Sequence, residues 1–137
     1  MEEGKVIIDS GDSGSVRISL KPAEDGSIWM SIAEIADIFF VGGASVEHQI
    51  KKIFVEGDLR EYAVKKEKPI EYAPGKYGKL DYYNLNMIIM LAFRMSSPFC
   101  SMFREWICQQ LTQKVSEQKI PIFLQIGKEQ GVNLLSL

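Results

Sequence analysis

Cysteine and histidine are nearly absent from this 137-residue chain: it holds Cys100, Cys108 and the single His48. Two cysteines cannot staple a scaffold, and so few suit a reducing cytoplasm. They sit within one expected helix, about 12 Å apart at 1.5 Å per residue, whereas a disulfide needs Cα atoms within about 7 Å. No C-x-x-C or H-x-x-x-H spacing occurs. Neither a zinc site nor any other metal or cofactor is therefore expected. Long apolar runs are missing too. The longest, Met87 to Phe93, falls far short of the ~20 residues that cross a bilayer. The opening Met1-Glu2-Glu3-Gly4-Lys5 has no apolar signal core. The expectation is a soluble cytoplasmic protein without membrane contact. An excess of one charge is also lacking, with 16 Lys/Arg against 18 Asp/Glu. Global electrostatics therefore do not announce nucleic acid, and any such reading needs a local patch.

What is present is ordinary for a globular domain: 46% hydrophobic and 25% charged residues. A chain of this length buries roughly two-thirds of its unfolded surface without metal or disulfides. The fold class expected is α+β. Lys5 to Ile8 and Val16 to Leu20 read as strands flanking a turn segment, Asp9 to Ser15, which makes an N-terminal antiparallel hairpin. Asp25-Gly26 turns into a third short strand, Ser27 to Met30. Ser31 and Glu34 form a capping box ahead of Ile32, Ile35, Ala36 and Phe39, an apolar stripe at helical spacing. Val41 to Ala44 breaks that helix. Ser45 is expected to cap a second, with Val46, Ile50, Ile53 and Phe54 inward and Gly57 ending it.

Beyond Gly57, Glu61 to Val64 and Ile70 to Tyr72 read as strands. Ala73 to Lys79 reads as a loop returning into a strand at Leu80 to Tyr83, a hairpin with a basic tip. Asn84 is expected to cap a third helix, with Leu85, Ile88, Ile89, Ala92 and Phe93 on its buried side. Ser97-Pro98 starts a fourth, striped by Phe99, Phe103, Trp106, Ile107 and Leu111. Arg94 and Arg104, placed within apolar helices, are expected to hold ion-pair or carbonyl partners, with Asp81 or Glu105 as mates. One domain over residues 1–119 results, followed by an apolar tail over 120–137.

Enzymatic chemistry finds no constellation. Gly11-Asp12-Ser13-Gly14 spells the letters around a trypsin-like nucleophile, yet that serine needs a histidine base held by a carboxylate. Gly, Asp and Ser are also what turns are made of. Gly75-Lys76-Tyr77-Gly78-Lys79 lacks the hydroxyl residue and the strand–loop–helix context of a phosphate-binding loop. The chain reads as non-enzymatic, with no small-molecule substrate.

The strongest pattern is Ile32 to Phe54, two short amphipathic helices across a glycine-containing turn, followed by a hairpin. That is the order of a winged helix–turn–helix reader of double-stranded DNA. Ser45 would donate to a phosphate, His48 and Gln49 would reach base edges, and Lys51 and Lys52 would meet the backbone. Lys76 and Lys79 would act from the wing. Charge agrees: residues 48–79 carry eight Lys/Arg and five Asp/Glu, a net of +3 that leaves −5 elsewhere. An ordinary solvated helix face would look much the same.

Ile28-Trp29-Met30-Ser31-Ile32-Ala33-Glu34-Ile35-Ala36-Asp37-Ile38-Phe39 resembles the segment that opens the core of the RhuM family of bacterial virulence-associated proteins. Ile50-Lys51-Lys52-Ile53-Phe54-Val55-Glu56-Gly57-Asp58-Leu59 is similar to that family's "I-K-N-I-F-x-E-G-E-L", and Tyr82-Tyr83-Asn84-Leu85-Asn86-Met87-Ile88-Ile89 to its "Y-Y-N-L-D-x-I-I". Phe93-Arg94-Met95 and Phe103-Arg104-Glu105-Trp106 complete the order, and the latter also resembles the closing helix of phage antirepressor domains of the Bro-N and KilA-N types. The likeness spans about residues 5–113. It departs at Gly42 to Gln49 and at Gly75 to Lys79. The resemblance implies a DNA-binding, helix–turn–helix-like α+β module of mobile elements and genomic islands, acting in transcription regulation. The competing expectation is an antirepressor-like module that contacts a phage- or island-encoded protein, or a second copy of itself, through the tail.

Overall fold

A computed structural model of the chain describes residues 2–118 and the backbone of 125–126 and 132–133. Its class is mixed α+β, with small antiparallel sheets and, among the described residues, five helices. The chain divides into two compact units, Met1–Arg104 and Glu105–Leu137. That division falls earlier than the boundary after residue 119 read from the sequence.

In the first unit, β1 (Lys5–Ser10) pairs antiparallel with β2 (Val16–Lys21), from Lys5 opposite Lys21 to Ser10 opposite Val16. The Gly-Asp-Ser-Gly letters fall in the turn between them. Gly11 N donates to the Ser15 carbonyl at 2.8 Å, Gly14 N to the Gly11 carbonyl at 3.0 Å, and Gly14 takes φ +80. A left-handed position of this kind favours glycine. Just before β1, Gly4 lies pressed between Ser27 and Ala23, and its carbonyl accepts from Trp29 N at 3.3 Å.

A three-stranded sheet follows in the order β3 (Trp29–Ser31), β5 (Lys76–Asn84), β4 (Lys65–Ala73). The hairpin differs from the sequence reading. Lys76 to Lys79 belongs to β5 rather than to a loop, because the chain reverses in two residues, Pro74 and Gly75, with Gly75 at φ +73. Proline then glycine at a positive φ suits a tight turn. Glu61 to Val64, expected as a strand, is a single helical turn, α3 (Glu61–Val64). Its tyrosine and valine favour extended structure in isolation, but Val64 is buried, and Asn84 Nδ2 donates to the Ala63 carbonyl at 3.3 Å. Tertiary packing overrides the propensity.

The helices carry the core. In α1 (Ile32–Phe39), Glu34 N donates to Ser31 Oγ at 3.3 Å, and Ser31 N donates back to Glu34 Oε1 at 3.0 Å, the expected capping box. Phe40, at φ 55, ends the helix in the left-handed region. Next, α2 (Gly43–Glu56) starts two residues before the expected cap. Gly42 takes the N-cap position without a side-chain hydrogen bond, and Ser45 lies inside the first turn, where it is not a cap. Asn84 Oδ1 accepts from Met87 N at 3.2 Å and caps α4 (Leu85–Arg94) as expected. The buried side of α4 is turned relative to the expected stripe: Met87, Ile88, Leu91 and Ala92 face the core, while Phe93 is exposed.

At the start of α5 (Pro98–Ser116), Ser97 Oγ accepts from Cys100 N at 3.0 Å and donates to the Phe39 carbonyl at 2.7 Å. Phe103 meets Phe39 edge-to-face at 5.4 Å. Arg104 Nη1 donates to the carbonyls of Ala92 and Met95 at 2.6 and 3.0 Å, which satisfies the end of α4. Cys100 is buried, and desolvation pushes its thiol above the usual range.

In the second unit, Cys108 is exposed and free. Leu111, expected inward, is exposed. Gln109 Nε2 donates to Glu105 one turn back at 3.4 Å. Two short strands, β6 (Gln125–Ile126) and β7 (Val132–Asn133), pair antiparallel. Apart from their backbone, the apolar tail over 120–137 lies outside the described residues, and with it the contact role expected there. Among the described residues no single helix is long and apolar enough to cross a membrane.

Candidate nucleic-acid interface

The arrangement of α2 follows from its apolar spacing. Val46, Ile50 and Ile53 are buried and pin one side of the helix to the core. The other side is then obliged to face water. Ser45, His48, Lys51 and Lys52 are all exposed there, with Val55 at 87% exposure one turn beyond Lys51 and Lys52. Two of the candidate residues are engaged within the fold. Lys51 Nζ stands 3.6 Å from Glu47 one turn back, an exposed pair of small energetic weight. Gln49 is half-buried, and its Oε1 accepts from Arg94 Nε at 3.0 Å. Lys52 is exposed, and its charge acts on the Glu56 carboxylate one turn on.

Arg94 does more than hold Gln49. Its Nη1 lies 2.9 Å from Glu56 Oε1 and 3.1 Å from Asp58 Oδ2, so one guanidinium on α4 ties both the middle and the end of α2. The hydrogen bond from Arg94 holds the Glu56 carboxyl below the usual range. Arg94 and Arg104 thus have the kinds of partner expected, but not the mates named. Arg94 uses Glu56 and Asp58, Arg104 uses carbonyls, and Asp81 pairs instead with Lys65 at 3.6 Å.

Lys76 and Lys79 are exposed on β5 and make no ion pair among the described residues. Their odd spacing puts them on opposite faces of the ribbon. Tyr77 lies between them, and Tyr72 reaches across to Gly78, both tyrosines being exposed. The tip is therefore an aromatic and basic ribbon rather than a one-sided lysine patch.

A second lysine pair, outside the helix–turn–helix pattern and the hairpin tip, lies on β4. Lys66 and Lys68, two residues apart and so on one face, bracket the Glu3 carboxylate, with Nζ to Oε2 distances of 3.0 and 3.1 Å. Lys66 Nζ also sits 4.6 Å over the Trp29 ring, and Lys68 Nζ 5.7 Å over Tyr82. Burial by itself would raise the Glu3 pKa, but hydrogen bonds and charge from the two lysines outweigh it and hold the carboxyl below the usual range. The Lys-x-Lys spacing was the available signal. Its partner 63 residues upstream was not readable from it.

No group of three or more His, Cys, Asp or Glu among the described residues is arranged to hold a metal ion. No family model matches the chain, and no curated protein or solved structure matches it either.

Proposed function

We propose that this chain is a non-enzymatic DNA-binding regulatory module that meets double-stranded DNA through the outer face of α2, with the β4–β5 hairpin as an accessory ribbon. The observation that carries the reading is the presentation of Ser45, His48, Lys51 and Lys52 on the solvent side of a helix whose opposite side is locked by Val46, Ile50, Ile53 and Arg94. A helix so held can offer polar groups to a groove without reorganising, which spares ordering entropy on binding. The first turn of α2 carries no acidic residue and no side-chain cap that would compete with a phosphate there, although Ser45 N already donates to the Gly42 carbonyl at 3.1 Å. Lys51 can exchange Glu47 for a phosphate at little cost, since exposed ion pairs are weak. Gln49 serves here to orient α2 rather than to read a base. The likeness to the RhuM family supports a place in mobile elements or genomic islands.

The test is a salt titration of duplex binding. Lys51→Ala with Lys52→Ala should weaken binding and lower the salt slope by about one for each phosphate that is no longer neutralised. Equal affinity and slope for variant and parent would remove α2 as the reading face.

A second reading, contact with a partner protein, draws on Phe40, which stands 81% exposed at the turn between α1 and α2 with Phe99 edge-on at 6.3 Å. Phe40→Ser that abolishes binding to a phage- or island-encoded partner protein, with duplex binding intact, would favour it.

A further inference from the structure

Lys66 and Lys68 converge on one oxygen. Both ammonium groups lie within hydrogen-bond distance of the same Glu3 Oε2, on the face of the sheet that carries Trp29 and Tyr82. A single anionic oxygen taking two lysine donors is the coordination that a phosphate oxygen receives from a basic surface. The lysines are not sealed in, each side chain being 38% exposed, whereas Glu3 is 16% exposed and enclosed by them. Around the three groups lies a hollow of about 300 Å³ lined by Glu2, Glu3, Ala23, Asp25, Lys66 and Lys68.

The carboxylate arrives from outside the sheet, on the segment leading into β1. Its position is fixed by Gly4, which leaves no room for a side chain, and by the bond from Trp29 N to the Gly4 carbonyl. Asp25 lines the same hollow but is occupied by Ser27, whose N and Oγ donate to it at 3.0 and 2.6 Å.

We infer that Lys66 and Lys68 form a second phosphate-binding point for duplex DNA, and that Glu3 keeps this point closed by occupying it until a backbone phosphate displaces the carboxylate. The inference rests on the DNA reading given above and adds to it a self-restraining contact distinct from α2. In the closed state the acidic strand leader neutralises two lysines of the hairpin. In the open state two charges become available that the net composition conceals. Displacement exchanges one lysine–anion contact for another, so its balance depends on salt and on how many phosphates the rest of the surface already holds.

The experiment compares the parent, Glu3→Gln, Lys66→Ala with Lys68→Ala, and all three changes together, using a fluorescein-labelled duplex across a salt series. Glu3→Gln should bind about three- to tenfold more tightly at low salt, with a slope steeper by about 1–2. The lysine changes should abolish that gain, while in the parent background they should change affinity by less than about threefold, since the point is closed there. Should Glu3→Gln lower the melting temperature, Glu3→Asp keeps the charge and withdraws the oxygen by one methylene, and it too must bind more tightly than the parent. If the Glu3 variants bind no better while Lys51→Ala with Lys52→Ala still weakens the parent, this inference is overturned and the α2 reading stands. If neither parent nor Glu3→Gln binds duplex at low salt, both fall together.

Discussion

A methyl group on Gly4 would run into the Ser27 carbonyl oxygen and stand 2.6 Å from Ala23 N. Both are backbone atoms and cannot swing aside as a flexible side chain would. Gly4→Ala should therefore cost stability at or above the upper end of the roughly 1–3 kcal/mol typical of overpacking, read from urea unfolding. Arg104 is the opposite case, a residue needed for what it donates. Two carbonyls at the end of α4 depend on its guanidinium, and removing charged hydrogen bonds of this kind costs about 1.5–3 kcal/mol each. Arg104→Met should unfold at clearly lower urea. Lysine should rescue it poorly, because its side chain is one atom shorter and does not bring an ammonium to the Nη1 position that serves both carbonyls.

Among the elements, α1 offers the cleanest measurement. Ser31→Ala removes one half of its capping box and should cost about 1 kcal/mol, seen as a lower urea midpoint at unchanged slope. This box, the Asn84 cap, the Ser97-Pro98 start and Gly57 in the left-handed region were all legible in the sequence, because each rests on chemistry within four residues. The misreadings have the reverse character. Glu61 to Val64 turns helical because Val64 is buried and Asn84 binds Ala63 from 21 residues away. The register of β4 and β5, Lys65 opposite Tyr83 through to Ala73 opposite Lys76, depends on where the chain reverses. Composition suggested a loop where Pro74-Gly75 alone suffices. On α4 two apolar sides compete, and only tertiary packing chooses Met87 and Leu91 over Phe93.

For the whole molecule the clearest expectation concerns acid. Glu3, Asp25 and Glu56 all hold carboxyl pKa values below their ordinary ones. At Glu3 the two lysines outweigh burial, at Asp25 the cause is hydrogen bonding from Ser27, and at Glu56 that from Arg94. A lowered folded-state value means that the unfolded chain takes up protons first. Their stabilisation should be complete above the unfolded carboxylate value near pH ~4 and be lost as pH falls through the lower folded values. Urea midpoints measured from about pH 6 downward should decline there, and Glu3→Gln should make the decline shallower. The candidate site was legible to a similar degree as the fold. Outward placement of His48, Lys51 and Lys52 followed from helical spacing alone, whereas Ser45, expected as a cap, is exposed inside the first turn. The engagement of Gln49 by Arg94, 45 residues on, and of Lys66 and Lys68 by Glu3 needed the chain to be folded.

Among the described residues, the order β3-β5-β4 leaves β4 with one flank unpaired. Such a rim invites strands from neighbouring molecules, and lysines or a proline along it are deterrents. Here Lys65, Lys66 and Lys68 precede Pro69 along that rim. Proline offers no N–H to an incoming strand. Pro69→Val should therefore leave the monomer folded yet make concentrated solutions polymerise edge to edge, so the same basic run that would greet DNA also keeps copies of the chain apart.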